Sequence, residues 1–191
     1  MPHFFPASGT RAGHLWLPVL LAGLMVAALA FPVQGQQQAS PDEGPSQISE
    51  TYRDWQVRCV AATAETGAAR QCEMSQQLNL SDTGQRLLAV AMIRQPDGRA
   101  MINVVTPFGL ILGAGLQIEV NGTVLQELGF LTCLPEGCIA RAVIEDAVLS
   151  AFRSATTGEI RMTALSGETI APQISLMGFS AAWNRLGALA P

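Results

Sequence analysis

Four cysteines, Cys59, Cys72, Cys133 and Cys138, constrain this chain most. An even count behind an apolar N-terminal leader reads as two disulfides formed in an oxidising compartment. Three pairings exist. Cys59–Cys72 with Cys133–Cys138 is favoured, because each pair is close in sequence and flanks a hairpin. A four-thiolate metal site is the rival, but the C-x4-C spacing has no C-x2-C knuckle to go with it. No redox C-x-x-C motif occurs. Each unstrained bond would contribute ~2–3 kcal/mol.

The leader has three parts. Arg11 precedes an almost uninterrupted apolar run from Leu15 to Phe31, with no acidic residue before it and small residues at its end. That is the pattern of a secretory signal. Cleavage fits after Ala30, with Ala28 at the small −3 position, or after Gly35, with Val33 there, so residues 1–35 are assigned to the leader. A permanent anchor is disfavoured: about 17 residues is at the lower edge of a bilayer span, and Pro18 interrupts the run. Transit peptides are amphipathic and Arg-rich, unlike this run. No cysteine follows it closely enough for a lipid anchor. The expected address is the periplasm or the exterior, including association with the outer membrane, with no stable membrane span after leader removal.

Removing the leader removes chemistry. Both histidines, His3 and His14, lie in it, and every basic residue of the chain is arginine. A Ser-His-Asp triad, a Cys-His pair, a Schiff-base lysine, a His-ligated metal and a P-loop lysine are therefore excluded from the mature part. An excess of acids with scattered arginines argues against nucleic acid as a partner. The expectation is a non-enzymatic protein with no catalytic residues, no metal and no cofactor, and with a protein or cell-envelope component as partner.

Residues 36–50 are rich in Gln, Pro and Ser without apolar periodicity and read as a flexible lead-in; residues 51–191 read as one β-rich domain with order beginning near Tyr52. Trp55, Val57 and Cys59 alternate with polar residues, as do Cys72, Met74, Gln76 and Leu78. Arg86 to Arg94 and Ala100 to Thr106 flank a Gln95-Pro96-Asp97-Gly98 turn. Leu116 to Val120 and Thr123 to Glu127 flank Asn121-Gly122, a type I′ signal. Phe130 to Cys133 pairs with Cys138 to Val143; Glu159 to Leu165 and Thr169 to Leu176 follow. Helices are expected over Ile144 to Ser154, stopped by Gly158, and over Gly178 to Leu186. Some eight to ten strands and two short helices without a βαβ pattern predict a mainly β fold, an antiparallel β-sandwich or partly open barrel.

The glycine-rich stretch Gly109 to Gly115 lacks the order of a phosphate loop and reads as a bend or bulge; its apolar Leu110–Leu116 region could alternatively wall a pocket for a small apolar ligand or lipid. Glu145 and Asp146 are adjacent, so on a helix they point about 100° apart and suit helix-start electrostatics better than acid–base work. A carboxylate-dependent hydrolase of envelope polymers would need two distant acids to converge. Asn79 and Asn121 head glycosylation triplets, Trp55 and Trp183 read as core anchors, and Arg53, Arg58, Arg141 and Arg153 as solvated arginines paired with neighbouring acids, with receipt of an anionic ligand or partner as the alternative.

Trp55-Gln56-Val57-Arg58-Cys59 followed by Cys72-Glu73-Met74-Ser75-Gln76-Gln77 resembles the start of the invasion-associated locus B proteins. The block from Pro107-Phe108-Gly109 to Val120-Asn121-Gly122, the segments Phe130 to Cys133 and Gly137 to Ala140, and the tail Ile174 to Ala182 continue the pattern in order. The resemblance covers the chain from about Tyr52 onward. It implies an exported envelope protein of Gram-negative cells, in a family named for host-cell invasion by its pathogenic members, with no established catalytic residues to carry over.

Overall fold

The computed structural model describes residues 45–61 and 70–189. The leader, most of the lead-in and the loop 62–69 lie outside the described residues. Within β2 (Trp55–Val60), Trp55, Val57 and Cys59 are buried and alternate with exposed Gln56, Arg58 and Val60, as expected of a strand with one face inward. β3 (Gln71–Asn79) runs antiparallel to it with Cys59 opposite Cys72, so the Cys59–Cys72 disulfide joins facing residues. β4 (Arg86–Arg94) and β5 (Ala100–Thr106) meet through the Pro-Asp-Gly turn, where Gly98 takes φ +83°. β9 (Gly137–Val143) pairs with β5, and β8 (Phe130–Leu134) pairs with β9 and is tied to it by Cys133–Cys138. β1 (Gln47–Tyr52) joins β2 by a turn at Arg53-Asp54, Arg53 lying at φ 54°. The seven strands run β1-β2-β3-β4-β5-β9-β8.

A second sheet holds β6 (Leu116–Val120), β7 (Thr123–Leu128), β10 (Thr157–Thr163), β11 (Thr169–Ile170) and β12 (Gln173–Ser175). Its order is β11-β10-β6-β7, and β12 also pairs with β10. Asn121 and Gly122 both take positive φ, 51° and 76°, as a type I′ hairpin requires. Only Gly129 separates β7 from β8, so one strand leaves the small sheet and becomes the edge of the large one, a sandwich corner. All ladders are antiparallel and neither sheet closes, which makes the fold a β-sandwich.

One core fills the sandwich. Val57, Met74, Val90, Met92, Ile102 and Val104 meet Leu116, Ile118, Ile160 and Ile174 from the second sheet. Helix α1 (Asp146–Ser154) adds Val148 and Phe152; helix α2 (Phe179–Leu189) adds Phe179, Ala182, Trp183 and Leu186 and packs on β1 to β4. Phe179 is the aromatic hub, edge-on to Trp55 at 5.3 Å and to Phe152 at 5.4 Å, geometries that ring quadrupoles favour. The Arg94 guanidinium lies 4.6 Å from the Trp183 ring centroid.

Polar contacts at two places, Ser175 and Arg185, tie the C-terminal segment to the large sheet. Gln76, a buried polar residue of β3, donates to the Ser175 carbonyl (3.2 Å) and the Asp54 carbonyl (2.9 Å) and accepts from the Ser175 N–H (2.8 Å). The Trp55 indole also donates to the Ser175 carbonyl, and the Ser175 hydroxyl donates to Asp54 Oδ2. On β1, Glu50 receives two hydrogen bonds from Arg185 of α2, at 2.7 and 2.8 Å, and one from the Tyr52 hydroxyl. Arg185 and Tyr52 together hold the Glu50 carboxyl down at about 2. Between these contacts Gly178, at φ +88°, lies so close to β1 that a Cβ there would overlap the Tyr52 carbonyl oxygen.

Several local expectations shift. Strand structure begins at Gln47, upstream of Tyr52, because Gln47 to Glu50 pair with β2 although their side chains show no apolar alternation. The Thr169 to Leu176 strand is interrupted at Ala171-Pro172, since proline has no N–H for a ladder; its carbonyl still accepts from Ile160. Gly158 does not stop α1: the helix ends at the extended Ala155, and Gly158 sits inside β10. α1 starts at Asp146 with Glu145 as its N-cap position. The strand expected to reach Leu165 stops at Thr163.

Gln76→Leu removes the acceptor of the Ser175 N–H and a donor to the Asp54 carbonyl, leaving the Ser175 carbonyl to Trp55, and is expected to cost about 2–3 kcal/mol by urea unfolding, whereas Gln77→Leu, on the exposed face, should change stability by less than ~1 kcal/mol. Gly178→Ala should cost more than about 2 kcal/mol, and Gly98→Ala, also at positive φ but with open space around it, about 1 kcal/mol. Glu50 folds with a value below its ordinary 4.5, so its contribution is complete above that pH and is lost as pH falls toward about 2. The stability gap between the parent and Glu50→Gln should therefore close over that window; a gap that persists at pH 2 would remove the pair as its source.

Candidate interaction surface at one end of the sandwich

The antiparallel registers bring three connections to the same end of the large sheet. β3 ends and β4 begins there, β5 leaves there at Pro107, and β8 turns into β9. The Arg86 guanidinium, at the start of β4, donates to the Glu136 carbonyl of the β8–β9 turn. Gly137 in that turn is buried against the Thr106 carbonyl, where a side chain would not fit.

From this end the segment after β5 crosses to the second sheet. Leu110 bridges Ala164, the Ile111 N–H donates to the Thr163 carbonyl (2.9 Å) and the Leu165 N–H donates to the Gly109 carbonyl (2.7 Å). A single 3-10 turn over Leu112–Ala114 follows, and Gly115, at φ +68°, packs its Cα against the Leu128 carbonyl. The glycine-rich stretch is thus a bend that packs closely, not a phosphate loop. The two loops carry Phe108, Ile111, Leu112 and Leu165, which are 61, 39, 44 and 77% exposed. Leu80 and Leu134, on the neighbouring turns, are exposed as well. Clustered exposed apolar residues mark contact surfaces, whereas single ones need no explanation.

The other singled-out residues are placed as follows. Trp55 and Trp183 are fully buried in the core. Glu145 and Asp146 are exposed at the start of α1. Asn121 occupies its hairpin turn, and Asn79 accepts from Gln77 at 2.8 Å. Arg141 donates to Asn103 at 2.6 Å, while Arg53, Arg58 and Arg153 lie dispersed and exposed. The ion pairs among the described residues use other arginines: Arg99, Arg161 and Arg185.

Register between non-consecutive strands creates one pair that sequence reading missed. Glu119 of β6 and Glu159 of β10 face each other, with Arg161 at 3.2 Å from Glu119 and 3.9 Å from Glu159. Gln173 donates to Glu159 at 3.3 Å. Their oxygens are engaged by an arginine and an amide, and the adjoining depression of about 120 Å³ is lined by Asn121, Gly122, Thr157 and Gly158. A larger open depression, about 290 Å³, lies along Ala114, Gln117, Arg161, Thr163 and Thr169. Among the described residues no group of three His, Cys, Asp or Glu could hold a metal, and no helix is long and apolar enough to cross a membrane.

Comparison with known proteins gives a consistent answer. Residues 55–187 match the family model described as invasion associated locus B (IalB) protein. An invasion protein B homolog of Brucella abortus is 36% identical over 152 residues, spanning 79% of this chain and 86% of that protein. Invasion protein B of Bartonella bacilliformis is 26% identical over 181 residues, spanning 90% of this chain and 95% of its own. The crystal structure of invasion associated protein B from Bartonella henselae superposes with a TM-score of 0.65 at 28% identity, over 74% of this chain and 97% of that one. With the fold and the matched span in agreement, this chain belongs to the invasion associated locus B family.

Proposed function

We propose that this protein works outside the cytoplasm, in the periplasm or at the envelope, and acts by binding a protein or envelope component and not by catalysis. The apolar end carries this reading: Phe108, Ile111, Leu112 and Leu165 are held toward solvent by hydrogen-bonded loops, an arrangement that costs solubility unless something covers it. Two disulfides suit an oxidising compartment, in keeping with the signal-like leader. Depressions beside Arg161 and Glu159 are open and lined largely by polar groups, which favours surface contact over carriage of a small apolar ligand in an enclosed cavity.

A photo-crosslinking residue placed at Leu165 tests the reading in intact cells. Leu165 is expected to give a discrete adduct in the envelope fraction, and the same group at Arg99, on the opposite end of the large sheet, none. Equal labelling from both positions, or none from Leu165, would remove the apolar end as the contact surface.

A further inference from the structure

An apolar loop can leave water only if its backbone N–H and C=O groups have partners of their own. At the apolar end the loops meet part of that condition themselves, and at interfacial depth water and headgroups can meet the rest. Besides the two bonds that cross between the loops, Ala114 N–H donates to Ile111 O (3.0 Å), Gly115 N–H to Leu112 O (3.1 Å) and Gly167 N–H to Ala164 O (2.8 Å). No charged residue occurs from Pro107 to Ile118, or from Ala164 to Gly167. Four large apolar side chains therefore project from a polypeptide tip that carries no charge and whose two loops are hydrogen-bonded to each other.

These properties discriminate between occupants. A protein partner is held in register by polar and charged groups around an apolar centre, and this tip supplies almost none. The interfacial layer of a bilayer asks for something simpler: apolar side chains and no charge to drag below the headgroups, with water and headgroups at hand for open backbone groups. We infer that the tip formed by Phe108, Ile111, Leu112 and Leu165 inserts into the interfacial layer of a lipid bilayer, an inference that rests on reading this end as the contact surface. The headgroups it suits are uncharged overall. The charged groups on the adjoining turns are Asp82, Glu136 and Arg86, the last already donating to the Glu136 carbonyl, and Glu168 follows the second loop. Acids outnumber bases there, so hydrocarbon, not anionic lipid, provides the attraction.

A fluorophore sensitive to polarity, attached at Phe108→Cys, reads this directly, since the described native cysteines are all in disulfides. With vesicles of phosphatidylcholine alone, the label at 108 should shift to the blue and brighten severalfold, while a label at Arg99→Cys should not respond. Because each label reports its own position, vesicle binding through the apolar leader cannot mimic the result. Serine at Ile111, Leu112 and Leu165 in the labelled chain should weaken the response about tenfold or more with its thermal unfolding unchanged, and added salt should leave the parent response intact. A label at 108 that stays in water while the Leu165 crosslinker still captures a protein would overturn the lipid inference and leave the contact surface standing. Silence in both experiments would sink both. A response that needs anionic lipid and disappears in salt would also overturn the inference.

Discussion

Ser175 belongs to the small sheet, yet its backbone N–H and carbonyl are both taken by the side chain of Gln76 from the large one. A buried amide with all its partners in place is stabilising, and the same amide left unpaired is costly, so the two sheets have one relative position that satisfies it. Everything C-terminal depends on that position. Three residues on, Gly178 passes against the Tyr52 carbonyl with no room for a side chain. The chain then enters α2, whose Phe179 and Trp183 complete the aromatic cluster and whose Arg185 reaches back to Glu50 on the edge strand. The Glu50–Arg185 pair is partly exposed, at 31 and 38%; water screens it, and its role is to fix position more than to supply stability.

The chemistry of the chain follows from what it lacks. Without histidine or lysine beyond the leader, the residues left for polar work are carboxylates, arginines and amides. The structure uses these for support: Arg161 between Glu119 and Glu159, Arg185 on Glu50, Arg99 on Asp97.

Hairpins were legible in the sequence wherever the turn carried its own chemistry. Pro96-Asp97-Gly98 and Asn121-Gly122 state their backbone angles through residue type, and alternation around Trp55, Cys72 and Leu116 states the buried face. Strands formed by pairing alone were not legible. β1 has half-exposed side chains and exists because β2 offers it an edge, and the break at Pro172 sits inside an otherwise extended run. The apolar Leu110 region was visible as composition, but which of its residues face water was not. Leu110 is buried by its bridge to Ala164, and Leu165, more than fifty residues away, joins the same surface only through hydrogen bonds between loops. The Glu119–Glu159 pairing is likewise a matter of register between distant strands.

The corner at Gly129 has a consequence for how the molecule comes apart. Because β7 and β8 are one strand, the last rung of each sheet is written on the same stretch of backbone. Peeling that stretch from β6 pulls on β9, and freeing it from β9 loosens β6. Neither sheet can melt from this side alone, so the layers are bound to a shared cooperative transition, and a force applied along this strand would be carried by both sheets at once.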